Sequence, residues 1–283
     1  MPHRASIQAR FPGLKIRTVA PIGDGWTCDT YEVNGEWIVQ VPRTAHAAER
    51  LRVQVALLPE LAREVPAPIP LPASVSLEDD PPMMAYRRLP GAACDVAPGG
   101  IWPERLGRFL YALHSVPPEF VGMRTVRPAV VRARQRDVCS ALAAQVLPFL
   151  DGLDRADAER MLASYLDEDD LWIFAPCLTH GDLGPEHVLV GADGDLAGII
   201  DWEEAAIGDP AWDFAWWLHE MPDQAGRALA AYGGPPDRRF HDRARFTYAL
   251  MPWHEVAFGL EDAQPAFVRS GLDGVRRRLP RTA

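Results

Sequence analysis

Two alternating runs, residues 30–33 (TYEV) and 37–41 (WIVQV), are separated by Asn34-Gly35. Asn-Gly takes the positive-φ turn that matches the twist of paired strands, so this stretch commits the start of the chain to an antiparallel hairpin. The residues around it agree. A glycine turn, Gly23-Asp24-Gly25, comes just before, and residues 83–89 read as a further strand stopped by Pro90-Gly91. Residues 45–62 place Leu51, Val55, Leu58 and Leu61 at helical spacing. Prolines at 66, 68, 70 and 72 keep residues 65–72 extended and stiff.

Beyond this region the pattern turns helical. Residues 103–116 begin with proline in a first turn and repeat Leu106, Leu110 and Leu113; helices are also expected over 128–150, 154–166, 210–220, 224–232 and 237–260. One strand-like island interrupts them: residues 188–190 and 196–200 around a turn at 191–195 read as a short hairpin. The expected class is α+β, with a small β-rich lobe over 1–87, a linker at 88–91 and a larger helical lobe over 92–283.

Composition narrows the function. With 283 residues, 48% hydrophobic and 24% charged, the chain is neither disordered, nor collagen-like, nor a disulfide miniprotein. No apolar run reaches the ~18–20 residues needed to span a bilayer, so no membrane partner is expected. The opening MPHRASIQAR has no apolar h-region, and Cys28, Cys94, Cys139 and Cys177 lie far apart, as reduced thiols of a cytoplasmic protein would. A net charge of −10 argues against a nucleic-acid partner. Residues 1–90 balance, with ten basic and ten acidic side chains, so the whole deficit lies in 91–283. Between Asp151 and Glu220 there are 18 acids against Arg155 and Arg160. This is either a solvated acidic face or a basin that concentrates a cationic ligand. Lys15 is the only lysine.

The chemistry gathers in Thr179-His180-Gly181-Asp182-Leu183-Gly184-Pro185-Glu186-His187-Val188-Leu189-Val190. Asp182 lies in a polar loop, His187 follows five positions later as a possible metal ligand, and Asp201 closes the strand Gly198-Ile199-Ile200 nineteen positions after Asp182. Either aspartate alone reads as a turn or capping residue. A hairpin that brings them together makes a carboxylate pair in which one group serves as general base and the other binds Mg²⁺, the arrangement phosphoryl transfer requires.

With these residues in view, the chain resembles the aminoglycoside phosphotransferase family, which shares the protein-kinase-like bilobal fold. The resemblance runs through Ile22-Gly23-Asp24-Gly25-Trp26, Tyr86-Arg87-Arg88-Leu89-Pro90-Gly91, Ala112-Leu113-His114, His180-Gly181-Asp182, Ile200-Asp201-Trp202 and Gly208-Asp209-Pro210-Ala211-Trp212-Asp213-Phe214. It implies Asp182 as catalytic base and Asp201 as the principal Mg²⁺ ligand. His187 falls where most relatives carry a metal-binding asparagine, a variant similar to that of aminoglycoside 2''- and macrolide phosphotransferases. Imidazole suits Mg²⁺ less well than a carbonyl oxygen. If His187 binds metal, activity falls as pH drops through its pKa, ~6.5 when unperturbed. The resemblance also places the nucleotide, ATP or GTP, against Gly23, Gly25, Gln40, Tyr86, Arg87 and Leu89, and makes Asp213 a brace of the catalytic loop. Glu203, Glu204, Glu220 and Glu255 are candidates for an ammonium-binding acceptor pocket, with solvated surface the alternative for each.

One departure stands out. Kinase-like enzymes pair a lysine on the third strand with a glutamate on the next helix. Here those positions are Gln40 and, on the helix, Gln54, with Glu49 as an alternative. A charged pair has become a neutral amide pair, which is coherent because a buried glutamate without its cation is costly. Arg43 or Arg50 is the candidate replacement cation. The expected function is a small-molecule O-kinase acting on a hydroxyl of an aminoglycoside or similar cationic antibiotic. The alternatives are a nucleotide-binding pseudokinase, or a kinase of a macrolide or small metabolite. Trp212, Trp216 and Trp217 read as a core stripe, and residues 124–136 as a solvated basic face.

Overall fold

The computed structural model describes residues 2–22, 26–94 and 99–280. Helix α1 (Pro2–Arg10) precedes strands β1 (Val19–Pro21), β2 (Cys28–Val33) and β3 (Trp37–Pro42), helix α2 (Ala45–Leu61), and strands β4 (Pro72–Ser76) and β5 (Met83–Arg87). The strands form one antiparallel sheet in the order β1-β2-β3-β5-β4. Val33 faces Trp37 across the hairpin, and Asn34 and Gly35 take φ of 61° and 72°, as the sequence predicts. Asn34 also clips the incoming chain: its Oδ1 accepts from the amides of Arg17 and Thr18, and its Nδ2 donates to the Lys15 carbonyl.

Side chains of β3 alternate between two faces. Val39 and Val41 pack with Ile7 and Phe11 from α1 and the turn after it, whereas Ile38 packs with Leu51, Met84 and Tyr86 on the α2 side. Helix α1 is absent from the sequence expectation because PHRASIQAR offers Ile7 as its one large apolar residue and no repeat to read. Tertiary contacts hold it: Ile7 is fully buried, and Arg4 and Gln8 donate to the carbonyls of Ile16 and Leu14. Helix α2 starts at the Thr44 cap, whose Oγ1 accepts from the Ala47 amide. Its far end leaves the sheet. Leu57, Leu58 and Leu61, with Val65 and Ile69, share one core with Phe109, Leu110 and Leu113 of the helical lobe.

That lobe contains β6 (Ala92–Ala93), α3 (Trp102–Ser115), α4 (Pro128–Val146), α5 (Gly152–Asp167), β7 (Cys177–Thr179), β8 (Val188–Val190), β9 (Leu196–Ile199), β10 (Ala206–Gly208), α6 (Ala215–Glu220), α7 (Pro222–Tyr232), α8 (Phe240–Glu261) and α9 (Pro265–Arg278). The β8–β9 hairpin forms as expected, β6 pairs with β8, and β7 pairs with β10. Other features differ from the sequence reading, which did not expect helix α9 or strands β6, β7 and β10. The helix expected to reach residue 150 ends at Val146, and a 3-10 turn at Leu147–Phe149 contains Pro148. The helix expected from residue 210 opens as a 3-10 turn at Trp212–Phe214. On the basic face, Arg136 is exposed as expected and Arg132 is half-buried; both donate to the Leu166 carbonyl at the end of α5. Trp217 is buried in the core, and Trp212 and Trp216 pack against it, as a core stripe would. The four cysteines are buried and form no disulfide, and among the described residues no helix is long and apolar enough to cross a membrane.

Candidate active site

The chain leaves β7 at Thr179 and turns through His180-Gly181-Asp182. The amides of His180 and Gly181 donate to the two carboxylate oxygens of Asp213, at 2.9 and 2.8 Å. Asp213 is fully buried and also accepts from His114 Nε2 at 3.0 Å, while Tyr232 donates its hydroxyl to His114 Nδ1. Burial raises the Asp213 carboxyl, but His114, His180 and the amides outweigh it, so the group is held below the usual carboxylate range. Gly181 has φ of +87°, and a Cβ there would lie 2.5 Å from the Glu204 carbonyl, so only glycine fits this turn. His180 is buried and held neutral, its pKa brought down to about 4 by desolvation. Its Nε2–H donates to the Ile200 carbonyl and its Nδ1 faces the Asp182 amide, which joins the loop to the strand end before Asp201.

His187 lies between the two aspartates. Its Nδ1–H donates to the Asp182 carbonyl at 2.7 Å, which leaves the Nε2 lone pair 3.4 Å from Asp201 Oδ2. Desolvation lowers the imidazole pKa, but Asp201 and Asp182 overcome it and hold the ring above its ordinary value. Asp182 is exposed to solvent yet crowded by charged neighbours. Desolvation first, then Asp201, Glu186 and Glu204, push its carboxyl up to about 6 against the opposing pull of His187. Asp201 adopts φ of +67°, a left-handed conformation for a non-glycine residue. Asp201 and His187 present an oxygen and a nitrogen to one point. Among the described residues no three His, Cys, Asp or Glu side chains could enclose a metal by themselves. Such a sparse set fits a hard ion that keeps waters and takes phosphate oxygens, which is the habit of Mg²⁺.

On the nucleotide side, Gly23 and Gly25 lie outside the described residues. Gln40 and Gln54 are buried, and Gln40 Oε1 and Gln54 Nε2 have no hydrogen-bond partner. Arg43 is paired with Asp29 at 2.7 Å, and Arg50 donates to the carbonyls of Glu203 and Ala205. Tyr86 is buried within the sheet, opposite Ile38. Arg87 turns outward to Glu36 and lies over the Trp37 ring at 3.9 Å, and Leu89 rests against Gly198 of β9.

The acidic candidates separate. Glu204 is exposed and close enough to Asp182 to raise its pKa. Glu220 accepts from the Tyr248 hydroxyl and Arg278, and Glu255 accepts from Ser270. Glu203 belongs to the lobe interface: it is buried, accepts from the Thr27 hydroxyl, and has Oε1 without a partner. Burial pushes its carboxyl up to about 7, with Asp201 and Glu204 adding to the shift and Thr27 opposing it. A second bridge starts at Trp26, which stacks on Phe258 at 4.4 Å and meets Phe267 edge-on. Sequence reasoning missed the roles of Trp26 and Thr27, and it named Arg50 as a replacement cation without its carbonyl partners, since no local pattern signals a partner so far along the chain.

The family described as "Phosphotransferase enzyme family" matches residues 18–280. The chain belongs to that phosphotransferase family. Viomycin phosphotransferase of Streptomyces vinaceus is 29% identical to it over 254 residues, covering 84% of this chain and 86% of the relative. Among solved structures, the GDP and kanamycin complex of APH(2")-IIia superposes with a TM-score of 0.87 at 24% identity, covering 98% of both chains. Macrolide 2'-phosphotransferase type I superposes at 0.77 with 21% identity, over 100% of this chain and 97% of that one. At these identities the superpositions speak to fold, and this phosphotransferase shares the kinase-like architecture expected from its sequence.

Proposed function

We propose that this phosphotransferase moves the γ-phosphoryl group of ATP or GTP to a hydroxyl of a small, cationic antibiotic, an aminoglycoside foremost. The observation that carries this is the proximity of Asp182, His187 and Asp201 to one another, beside the contact of Glu203 with Thr27 between the lobes. Asp201, with His187 Nε2, would hold Mg²⁺. The bound ion supplies charge neutralisation to the nucleotide phosphates. Asp182 accepts the proton of the acceptor hydroxyl as that oxygen attacks phosphorus. With its carboxyl at about 6, Asp182 is mostly ionised at neutral pH yet more basic than an ordinary aspartate. Asp213 and Gly181 fix the loop that presents it, and His180, held neutral, adds no competing charge. Glu204 is the acidic group best placed to meet an ammonium of the acceptor. The family membership, and relatives named for viomycin, kanamycin and macrolides, support an antibiotic acceptor.

The test is phosphate transfer from Mg-ATP and Mg-GTP over a panel of aminoglycosides, viomycin and macrolides, paired with resistance profiling in a susceptible bacterium. Asp182→Asn is expected to lower kcat by about 10²–10⁴-fold with nucleotide binding intact. Nucleotide binding without turnover on any acceptor would instead favour the pseudokinase, a reading motivated by the uncharged Gln40 and Gln54.

A further inference from the structure

We propose that Arg50 clamps helix α2 onto the segment carrying Asp201, a hold on the helix in a chain that lacks the strand lysine and helix glutamate of kinase-like enzymes. The inference rests on the reading of Asp201 as the metal-holding residue.

In kinase-like enzymes the lysine–glutamate pair and the metal-holding aspartate must be in place together, which makes the position of the helix a condition for activity. Gln40 and Gln54 cannot form that ion pair, and the unpartnered Gln40 Oε1 and Gln54 Nε2 show that no hydrogen bond between these atoms replaces it. Arg50 stands one helical turn before Gln54, on the same face of α2. Its Nε donates to the Glu203 carbonyl at 2.6 Å and its Nη2 to the Ala205 carbonyl at 3.0 Å. The planar guanidinium spans two carbonyls in a fixed fork, which the single ammonium of a lysine does not reproduce.

The gripped segment needs holding. A non-glycine residue in the left-handed region is strained and persists where its surroundings over-determine it. Before Asp201, the Ile200 carbonyl accepts from His180 Nε2–H and the Ile200 amide donates to the His187 carbonyl. After Asp201, the Glu203 and Ala205 carbonyls are held by Arg50, and the Glu203 side chain by Thr27. The anchors before Asp201 therefore come from the catalytic loop, and those after it from the N-terminal lobe. A shift of α2 relative to the helical lobe acts on Asp201 through Arg50.

The test compares wild type, Arg50→Gln, Arg50→Lys and the control Arg52→Gln, whose arginine pairs with Glu49 on the helix surface. Two quantities are read: amide hydrogen exchange over residues 201–206 in the ligand-free protein, and nucleotide affinity with and without Mg²⁺. Exchange should speed up about tenfold in both Arg50 variants, because the segment opens more often. Mg²⁺-dependent affinity should fall about tenfold in both, with metal-free binding and Arg52→Gln unchanged. If Arg50→Lys behaves as wild type, Arg50 acts as a charge and the clamp is overturned; unchanged exchange in the Arg50 variants overturns it as well. Should Arg50→Gln fail to fold, the lysine variant decides. Should wild type bind no Mg-nucleotide, the functional reading falls while the exchange measurement still judges the clamp.

Discussion

Asp182 illustrates how one side chain can be tuned by its place. As the proposed base it must be ionised to accept a proton, and its carboxyl is raised to about 6 by desolvation and by Asp201, Glu186 and Glu204. The raised group is protonated below that value, so kcat at saturating Mg-nucleotide should fall as pH drops through about 6, with protonation of His187 adding to the loss of metal binding. Replacing Glu204 with glutamine removes one like charge, so the midpoint of this fall in kcat should move to lower pH. A midpoint that rises in Glu204→Gln, or a rate independent of pH between 5 and 7, would contradict the assignment of Asp182 as base. The three central residues, Asp182, His187 and Asp201, are legible in the sequence because two contiguous stretches carry them and a hairpin of readable type joins those stretches. Arg50 and Glu203 stand out in the sequence as a cation and an acid, but their contacts across the lobes do not, because these arise only when α2 and the start of β2 meet the segment after β9.

Among the elements, α8 depends on one buried cation. Arg243 is fully buried; its Nε donates to Asp209 at 2.6 Å and its two remaining nitrogens to Asp237. It ties the first turn of α8 to the chain leaving β10 and to the residues before the helix. Removing one partner of a buried pair strands the other, so Arg243→Met should cost about 3–5 kcal/mol in chemical denaturation. A loss within about 0.5 kcal/mol, the usual effect of a surface change, would show the network to be dispensable. Elements with a repeat of adequate length, such as α2, α3 and the Asn-Gly hairpin, are readable beforehand. Strands β6, β7 and β10 are two or three residues long, too short for any period. Helix α1 lacks an apolar stripe and owes its conformation to the sheet beneath it.

For the molecule as a whole, the boundary visible in composition is not a boundary in packing. The sheet and the helices differ in character, but α2 contributes Leu57, Leu58 and Leu61 to the core of the helical lobe, and Arg50, Thr27 and Trp26 cross between them. Chains of this size often unfold in steps. Here the shared core predicts a single transition, with far-ultraviolet circular dichroism and tryptophan fluorescence coinciding in urea. Leu57→Ala should lower that one midpoint by an amount corresponding to about 2–5 kcal/mol. Two separated transitions would mean that the lobes are independent after all. The placement of the one amine-bearing side chain has a practical corollary. Lys15 is exposed beside the Asn34 turn, and the six residues of β2 put it about 20 Å from the Thr27 end of the strand. Acylating nucleotide reagents, which reveal kinases by leaving a tag on a lysine beside the phosphates, will find nothing there to label, and a proteomic survey built on that chemistry will pass over this enzyme.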